Sequence, residues 1–177
     1  MAADSNLIFP ECESDPIIRK PADGGDLQVI ASGGDIKAAT GESSFELTVL
    51  AIGGGGTIYI TEEKDDSLLT INPDTGAVSR LVSESDMNGL SGISDIDLEG
   101  GLVQGNDGTI YLASDGSPNA IIAVDTNGTP SVLASGGDLN CSSLKGFMTL
   151  APNGDLIVAD SSDGGDVLRI DTSDGSV

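Results

Sequence analysis

A short apolar pattern occurs three times in this chain of 177 residues. Residues 56–60 read Gly-Thr-Ile-Tyr-Ile, residues 108–112 read Gly-Thr-Ile-Tyr-Leu, and residues 154–158 repeat it more loosely as Gly-Asp-Leu-Ile-Val. Each copy is followed by a second apolar run and then by a turn rich in Asp, Asn and Gly. A period of about 50 residues made of short strands and tight turns is typical of β-propeller blades. The repeat therefore predicts an all-β fold built from propeller blades.

The repeat unit divides into four strands, a to d, separated by turn residues. The first complete unit has strands at 45–52, 57–61, 67–71 and 78–83, and the second at 98–104, 109–113, 120–124 and 131–135. The third unit has three strands, at 146–151, 155–159 and 167–170. No segment keeps a helical apolar spacing between the glycines, so the pattern predicts no helix.

The ends of the chain predict how the blades are completed. Residues 31–35 and 134–138 both read Ala-Ser-Gly-Gly-Asp, so residues 27–32 match a strand d. We therefore expect a tail at 1–26 and one half-propeller of about three blades at 27–177, with the N-terminal strand completing a C-terminal blade. Three blades are too few to close a ring, because propellers have about four to eight. Either a homodimer exchanges this strand to form a six-bladed ring, or the chain is a fragment of a longer propeller.

Composition narrows the possible partners and chemistry. Asp and Glu total 29 against seven Lys and Arg, for a formal charge of −22, so nucleic acid and anionic membranes are poor partners. Histidine is absent, which excludes a Ser-His-Asp triad and a His-based zinc site. The two cysteines, Cys12 and Cys141, could be paired or free. The N-terminal residues lack the basic start and long apolar stretch of a signal peptide, as in a cytoplasmic chain or a mature secreted one, and of the two we expect an extracellular or periplasmic location.

The acidic residues suggest a metal site on one face. In a four-stranded blade, the b–c loops and the d-to-a connections open on the same face. An aspartate recurs in the d-to-a connections at Asp35, Asp86 and Asp138. Oxygen ligands without His or Cys point to calcium, with magnesium and manganese as alternatives. The candidate ligands are Asp160, Asp163 and Asp166 in one b–c loop, Asp138, and Asp97 and Glu99 near an inner strand. The alternative is that these aspartates cap turns on a solvated, salt-adapted surface.

The sequence of the repeats resembles that of the NHL-repeat and gluconolactonase-like propellers, which are commonly six-bladed. The resemblance rests on Asp-Gly-Thr-Ile-Tyr-Leu-Ala-Ser at 107–114 and Asn-Gly-Asp-Leu-Ile-Val-Ala-Asp-Ser at 153–161, each followed by an apolar strand ending in Asp. It implies that Asp160 is a metal ligand and that the chain is a calcium-dependent lactone hydrolase. The family's Glu-Gly-Pro motif is absent here.

Three functions remain open from the sequence. The first is a binding or interaction module for a small-molecule or protein ligand, with an acidic, calcium-binding face. The second is a lactonase, with Asp160 as ligand and Asp97, Glu99 or Asp138 completing its site. The third is a fragment of a larger propeller protein. The sequence assigns no catalytic residue.

Overall fold

The computed structural model describes residues 6–10, 16–140, 143–160 and 165–177. Within these residues, fourteen strands form four antiparallel sheets of three or four strands each. The sheets follow one another along the chain, and consecutive strands are neighbours in every sheet. This arrangement is the one expected of consecutive propeller blades, and it confirms the predicted all-β class.

The four sheets are numbered as blades 1 to 4. Blade 1 contains β1 (Leu7–Pro10), β2 (Ile17–Lys20) and β3 (Gln28–Ala31). Blade 2 contains β4 (Leu47–Ile52), β5 (Ile58–Glu62), β6 (Ser67–Ile71) and β7 (Val78–Val82). Blade 3 contains β8 (Leu102–Gln104), β9 (Ile110–Ser114), β10 (Ala120–Val124) and β11 (Pro130–Ser135). Blade 4 contains β12 (Met148–Leu150), β13 (Leu156–Ala159) and β14 (Val167–Ile170).

The predicted N-terminal tail is not a tail in the structure. Its residues form β1 and β2, and β2 pairs with β3 through Ile18 and Val29. The predicted strand at 27–32 is thus a strand d whose partner lies in its own blade, and among the described residues β14 pairs with β13 alone. The sequence did not reveal β1 and β2 because they are only four residues long and lack the Gly-Thr-Ile-Tyr wording. The chain therefore occupies four blade positions instead of three.

Two short helices are a second departure from the prediction. α1 (Gly33–Thr40) follows β3 and α2 (Glu84–Asn88) follows β7. Each begins with a capping box, in which Ser32 or Ser83 exchanges hydrogen bonds with the aspartate three residues later. Ser-x-x-Asp is a variant of a known helix-start signal, and the apolar-period test overlooks helices of this length.

The hydrophobic core consists of three apolar clusters, one at each junction between consecutive blades. Ile17 and Ile58 belong to the cluster between blades 1 and 2, and Leu68 and Leu112 to the one between blades 2 and 3. Tyr111 and Val158 belong to the cluster between blades 3 and 4. Each sheet alternates its side chains between two faces, so an interior blade contributes to the clusters on both of its sides. Among the described residues, no helix is long and apolar enough to span a bilayer.

Candidate functional site

Acidic side chains gather where the inner strands of blades 2 to 4 begin. Asp97 and Glu99 precede β8, and Asp115 lies in the b–c loop that follows β9. Lys145, which precedes β12, points its ammonium group among these three carboxylates. Glu46 and Glu63 occupy the corresponding positions beside blade 2. We call these residues the acidic cluster: Glu46, Glu63, Asp97, Glu99, Asp115 and Lys145.

Lys145 is the cation at the centre of the acidic cluster. Its Nζ donates a hydrogen bond to Glu99 Oε2, and it lies 3.6 Å from Asp97 Oδ2 and 3.9 Å from Asp115 Oδ2. The hydrogen bond to Glu99 raises the pKa of Lys145, and the same bond lowers the pKa of Glu99. Both groups are therefore charged at neutral pH, and one ammonium balances only part of the negative charge around it.

Backbone hydrogen bonds hold the cluster in place. Asp115 Oδ1 accepts from the N–H of Leu144 at 2.5 Å, which ties the loop of blade 3 to the inner strand of blade 4. Asp66 Oδ1 accepts from the N–H of Leu98 at 2.8 Å, one blade earlier. Ser114 Oγ accepts from the N–H of Asp97 at 3.0 Å. The carboxylates thus sit on a scaffold that spans blade boundaries.

Burial, and then the surrounding negative charge, raise the pKa of three carboxyl groups on this face. The pKa of Glu63 is raised to about 7 by burial, by its hydrogen bond with Glu99 and by repulsion from nearby carboxylates, including Glu46. The pKa of Asp66 is raised to about 6, mainly by burial and then by repulsion from Asp97. Burial and the charge of Glu99 raise the pKa of Asp97 as well. The face is therefore strongly electronegative even with Lys145 in place.

Of the predicted metal ligands that the structure describes, Asp97 and Glu99 belong to the acidic cluster. Asp138 lies exposed on the short 3-10 turn Gly137–Leu139. The other recurring aspartates, Asp35 and Asp86, cap helices, and hydrogen bonds from Ser32 and Ser83 lower the pKa of each. The d-to-a repeat therefore follows from local backbone chemistry in two of its three copies.

Asp160, the residue singled out by the family resemblance, lies at the end of β13. Strand pairing aligns β13 with β5 and β9, which places Asp160 at the position of Glu62 and Ser114. Glu62 is buried and accepts from the N–H of Glu46 at 2.7 Å, just as Ser114 accepts from that of Asp97. This position anchors a loop in blades 2 and 3. Asp166 accepts through its backbone oxygen from the N–H of Asp160, while Asp163 and both cysteines lie outside the described residues.

The arrangement does not fit a calcium ion as it stands. Calcium takes about six to eight oxygen ligands at roughly 2.3–2.6 Å. In the described part of the chain, no group of three or more Asp, Glu, His or Cys residues is arranged to hold a metal ion. The Lys145 ammonium lies where the carboxylates converge, so a divalent ion would have to displace it.

The predicted ligands did not include Glu63, Asp115 or Lys145. Glu63 and Asp115 share one position, directly after the strand that begins at the Gly-Thr-Ile-Tyr repeat. Aligning Leu-Glu-Gly-Gly at 98–101 with Leu-Lys-Gly-Phe at 144–147 would have placed Lys145 opposite Glu99. The signal was present, but it required comparing inner strands whose wording has diverged.

A hollow of about 490 Å³ opens on the opposite face, away from the acidic cluster. It is lined by Ile52, Gly53 and Gly54 and by residues 104–108, which belong to the a–b hairpins of blades 2 and 3. Gln104 crosses it, accepting from the N–H of Gly54 and donating to the Tyr59 hydroxyl at 3.2 Å. Asp107 is the one charged residue in its lining, so the acidic cluster remains the better candidate site.

Comparison with solved structures defines the class of fold. The chain superposes on a calcium-binding protein, regucalcin, from Agrobacterium tumefaciens with a TM-score of 0.64 and 16% identity, covering 99% of this chain and 56% of that one. A gluconolactonase from Xanthomonas campestris gives a TM-score of 0.63 and 17% identity, covering 98% of this chain and 58% of that one. A chain of the nidogen–laminin complex gives a TM-score of 0.68 and 17% identity, covering 97% of this chain and 58% of that one.

These similarities establish the fold, and they confirm the resemblance at that level. The chain has the fold of the NHL-repeat and gluconolactonase-like β-propellers, and it spans just over half the length of the structures it matches. No protein-family model matches the sequence. No curated protein sequence matches it either.

Proposed function

We propose that this chain forms part of a β-propeller that binds cationic groups on its acidic face. Such groups include the Lys and Arg side chains of a protein partner and ammonium-bearing small molecules. The observation that carries the proposal is the placement of Lys145, whose ammonium is held by Glu99 beside Asp97 and Asp115. The cluster thus already recognises one cation, which belongs to the chain itself.

The remaining charge supports binding of a second cation. The acidic cluster contains five carboxyl groups and one ammonium, which contacts three of them, and the pKa of Glu63 is raised to about 7 partly by its carboxylate neighbours. A cation placed beside Glu63 would relieve that repulsion and restore its ionisation. Clefts lined by charge of one sign also attract ligands of the opposite sign and accelerate their association.

A short lysine-rich peptide tests the proposal by titration calorimetry. We expect binding that weakens as salt is added, and a loss of about tenfold in affinity on Glu99→Gln, equivalent to about 1.4 kcal/mol. Asp74→Asn is the matched control, because Asp74 is exposed in the c–d hairpin of blade 2 and the substitution makes the same change in net charge. Equal losses in both variants would reduce the effect to net charge alone and reject a specific site.

Calcium requires a separate test, because Lys145 opposes it. The proposal that calcium binds this face is supported by the chemistry of the carboxylates and by a structural neighbour described as calcium-binding. Titration with calcium chloride should give little response in the wild type and a stronger one in Lys145→Gln. A strong wild-type response that survives Glu99→Gln would place any calcium site elsewhere.

Lactone hydrolysis is a second candidate function. A carboxylate whose pKa lies near neutrality can accept a proton from water, and Glu63 has a pKa of about 7. Two structural neighbours are described as gluconolactonases. Turnover of glucono-δ-lactone should fall about a hundredfold in Glu63→Gln. Turnover lost in Asp160→Ala but unchanged in Glu63→Gln would instead support the role that the family resemblance gives Asp160.

A further inference from the structure

The sheet face of blade 4 that points away from blade 3 is largely uncovered among the described residues, and it carries Phe147, Val167 and the ion-paired Arg169. Phe147 and Val167 on this face are 92% and 71% exposed. Strand pairing aligns Val167 with Ile121 of blade 3, which is fully buried against blade 4. The face of blade 4 that points away from blade 3, which we call its outward face, is therefore equivalent to the face by which blade 3 packs against blade 4. Its exposure marks it as half of a blade–blade interface.

Blade 1 presents the other half of such an interface. Leu7 and Val29 are each 63% exposed, and pairing across β1, β2 and β3 places them on the same face as Phe9 and Ile18. Ile8 and Ile17 lie on the opposite face, in the cluster shared with blade 2. In blade 2, the positions of Leu7 and Phe9 are taken by Ile58 and Ile60, both buried against blade 1. The face of blade 1 that points away from blade 2 therefore carries Leu7, Phe9, Ile18 and Val29, and we call it the inward face of blade 1.

We propose that the outward face of blade 4 docks on the inward face of blade 1 in a second copy of the chain. The second copy is the occupant because each copy carries both halves of an interface that it already builds three times internally. The new contact continues that series from one copy to the next. It is a head-to-tail contact, so it can extend beyond two copies. No exchange of residues 27–32 is involved, because β3 is paired within its own blade.

Phe147 serves as the anchor of this interface. In blade 3 its position is held by Gly101, where a Cβ would lie 2.4 Å from the Cβ of Met148. In blade 2 the position is held by Val49, which packs against the apolar cluster between blades 2 and 3. The interface at this position therefore accepts either a close backbone contact or an apolar side chain. A large, highly exposed aromatic side chain such as Phe147 gains much from burial, and such residues often dominate an interface.

The charge of the chain makes the proposed association depend on salt concentration. Lys20 lies on the inward face of blade 1, but its Nζ already donates a hydrogen bond to the backbone oxygen of Gly25 at 2.6 Å. Each copy carries a formal charge of −22, so two copies repel each other. Salt screens that repulsion and strengthens apolar docking, whereas it weakens the binding of cations to the acidic cluster. The two proposals therefore respond to salt in opposite directions.

Sedimentation velocity of the intact chain over a range of protein and salt concentrations tests the proposal. We expect masses above the 17.8 kDa of one copy, increasing with both. Phe147→Asp and Val29→Asp should each weaken association by about tenfold or more. Ile52→Asp is the matched control, because Ile52 is an exposed aliphatic residue away from the end blades and its substitution should leave the mass distribution unchanged. Circular dichroism verifies that each variant is folded.

Mixing the two variants separates this geometry from a symmetric one. Phe147→Asp keeps an intact blade 1 face, and Val29→Asp keeps an intact blade 4 face. An equal mixture should therefore form dimers that cannot grow further. A monomer at every concentration, an assembly insensitive to both substitutions, or a mixture that stays monomeric would each overturn the proposal.

Discussion

The carboxylate of Asp66 accepts a hydrogen bond of 2.8 Å from the backbone N–H of Leu98 and so joins the b–c loop of blade 2 to the inner strand of blade 3. Asp66 is held in the left-handed region, with a φ of 42°. Its carboxyl is also partly buried beside other acids, which raises its pKa to about 6. The contact therefore combines a favourable hydrogen bond with an unfavourable charge.

Asp66→Asn should separate these two effects. The amide oxygen keeps the bond to Leu98, and asparagine tolerates the left-handed backbone. Because the folded chain binds the Asp66 proton more tightly than the unfolded chain does, the wild type should lose stability as the pH rises from about 4 to about 6. The variant should lack that loss and be about 1 kcal/mol more stable near pH 7. Thermal unfolding across this range measures it, and identical pH profiles for the two proteins would contradict the expectation.

Lys145→Gln should destabilise the chain by exposing the acidic cluster to its own repulsion. The expected loss is about 0.5–1 kcal/mol at low salt, because the partners are partly exposed and solvent screens them. Sodium chloride should recover most of it. Lys37→Gln, on α1, removes an equal charge away from the cluster and should have a smaller effect in the same denaturation series. A Lys145 variant as stable as the wild type at low salt would show that the ion pair contributes nothing.

Gly101→Ala should disrupt the junction between blades 3 and 4. Its Cβ would lie 2.4 Å from the Cβ of Met148 and 2.7 Å from its backbone nitrogen, so the inner strands must move apart. A cost of about 1–3 kcal/mol follows from such overpacking. Gly34→Ala is the control, since its new Cβ lies 3.5 Å from the nearest atom, Ser32 Oγ, and alanine favours a helix. Chemical denaturation compares the two, and equal stability of both variants would argue against the close approach.

Ser83→Ala should remove the cap of α2. The loss of its hydroxyl costs about 1 kcal/mol, as for other N-caps. Ser83 also lowers the pKa of Asp86, so the cap's contribution is present above about pH 4 and disappears as the pH falls through the lowered pKa. The difference between the variant and the wild type should therefore shrink in acid. A difference independent of pH would leave the Asp86 carboxylate without a part in the cap.

Blades 2 and 3 could be predicted from the sequence because their turns contain the Asp, Asn and Gly residues that tight turns require. Asp107 and Asp125 each accept a backbone N–H two residues later, the local bond that makes aspartate common in turns. The inner strands were harder to delimit. The structure has β8 at Leu102–Gln104 and β12 at Met148–Leu150, so both strands begin later than predicted. Glycines at 100, 101 and 146 precede them, and without side chains these residues do not show the alternation of a strand.

The candidate site was only half visible in the sequence. Asp97 and Glu99 were identified because acidic residues near an inner strand stand out in one repeat. Lys145 was not, because finding it requires aligning the inner strands of blades 3 and 4, whose sequences have diverged. Asp160 illustrates the converse, since its motif suggested a ligand while its place in the sheet is one that Glu62 and Ser114 use to anchor loops.

Within the part of the chain that the structure describes, the three apolar clusters join consecutive blades, and no single cluster includes residues of all four blades. Stability in such an array is a sum over neighbours, and within a single copy blades 1 and 4 have one neighbour each. Amide hydrogen exchange should therefore be slowest in β9 and β10 and fastest in β1 and β14, with opening that spreads inward from both ends.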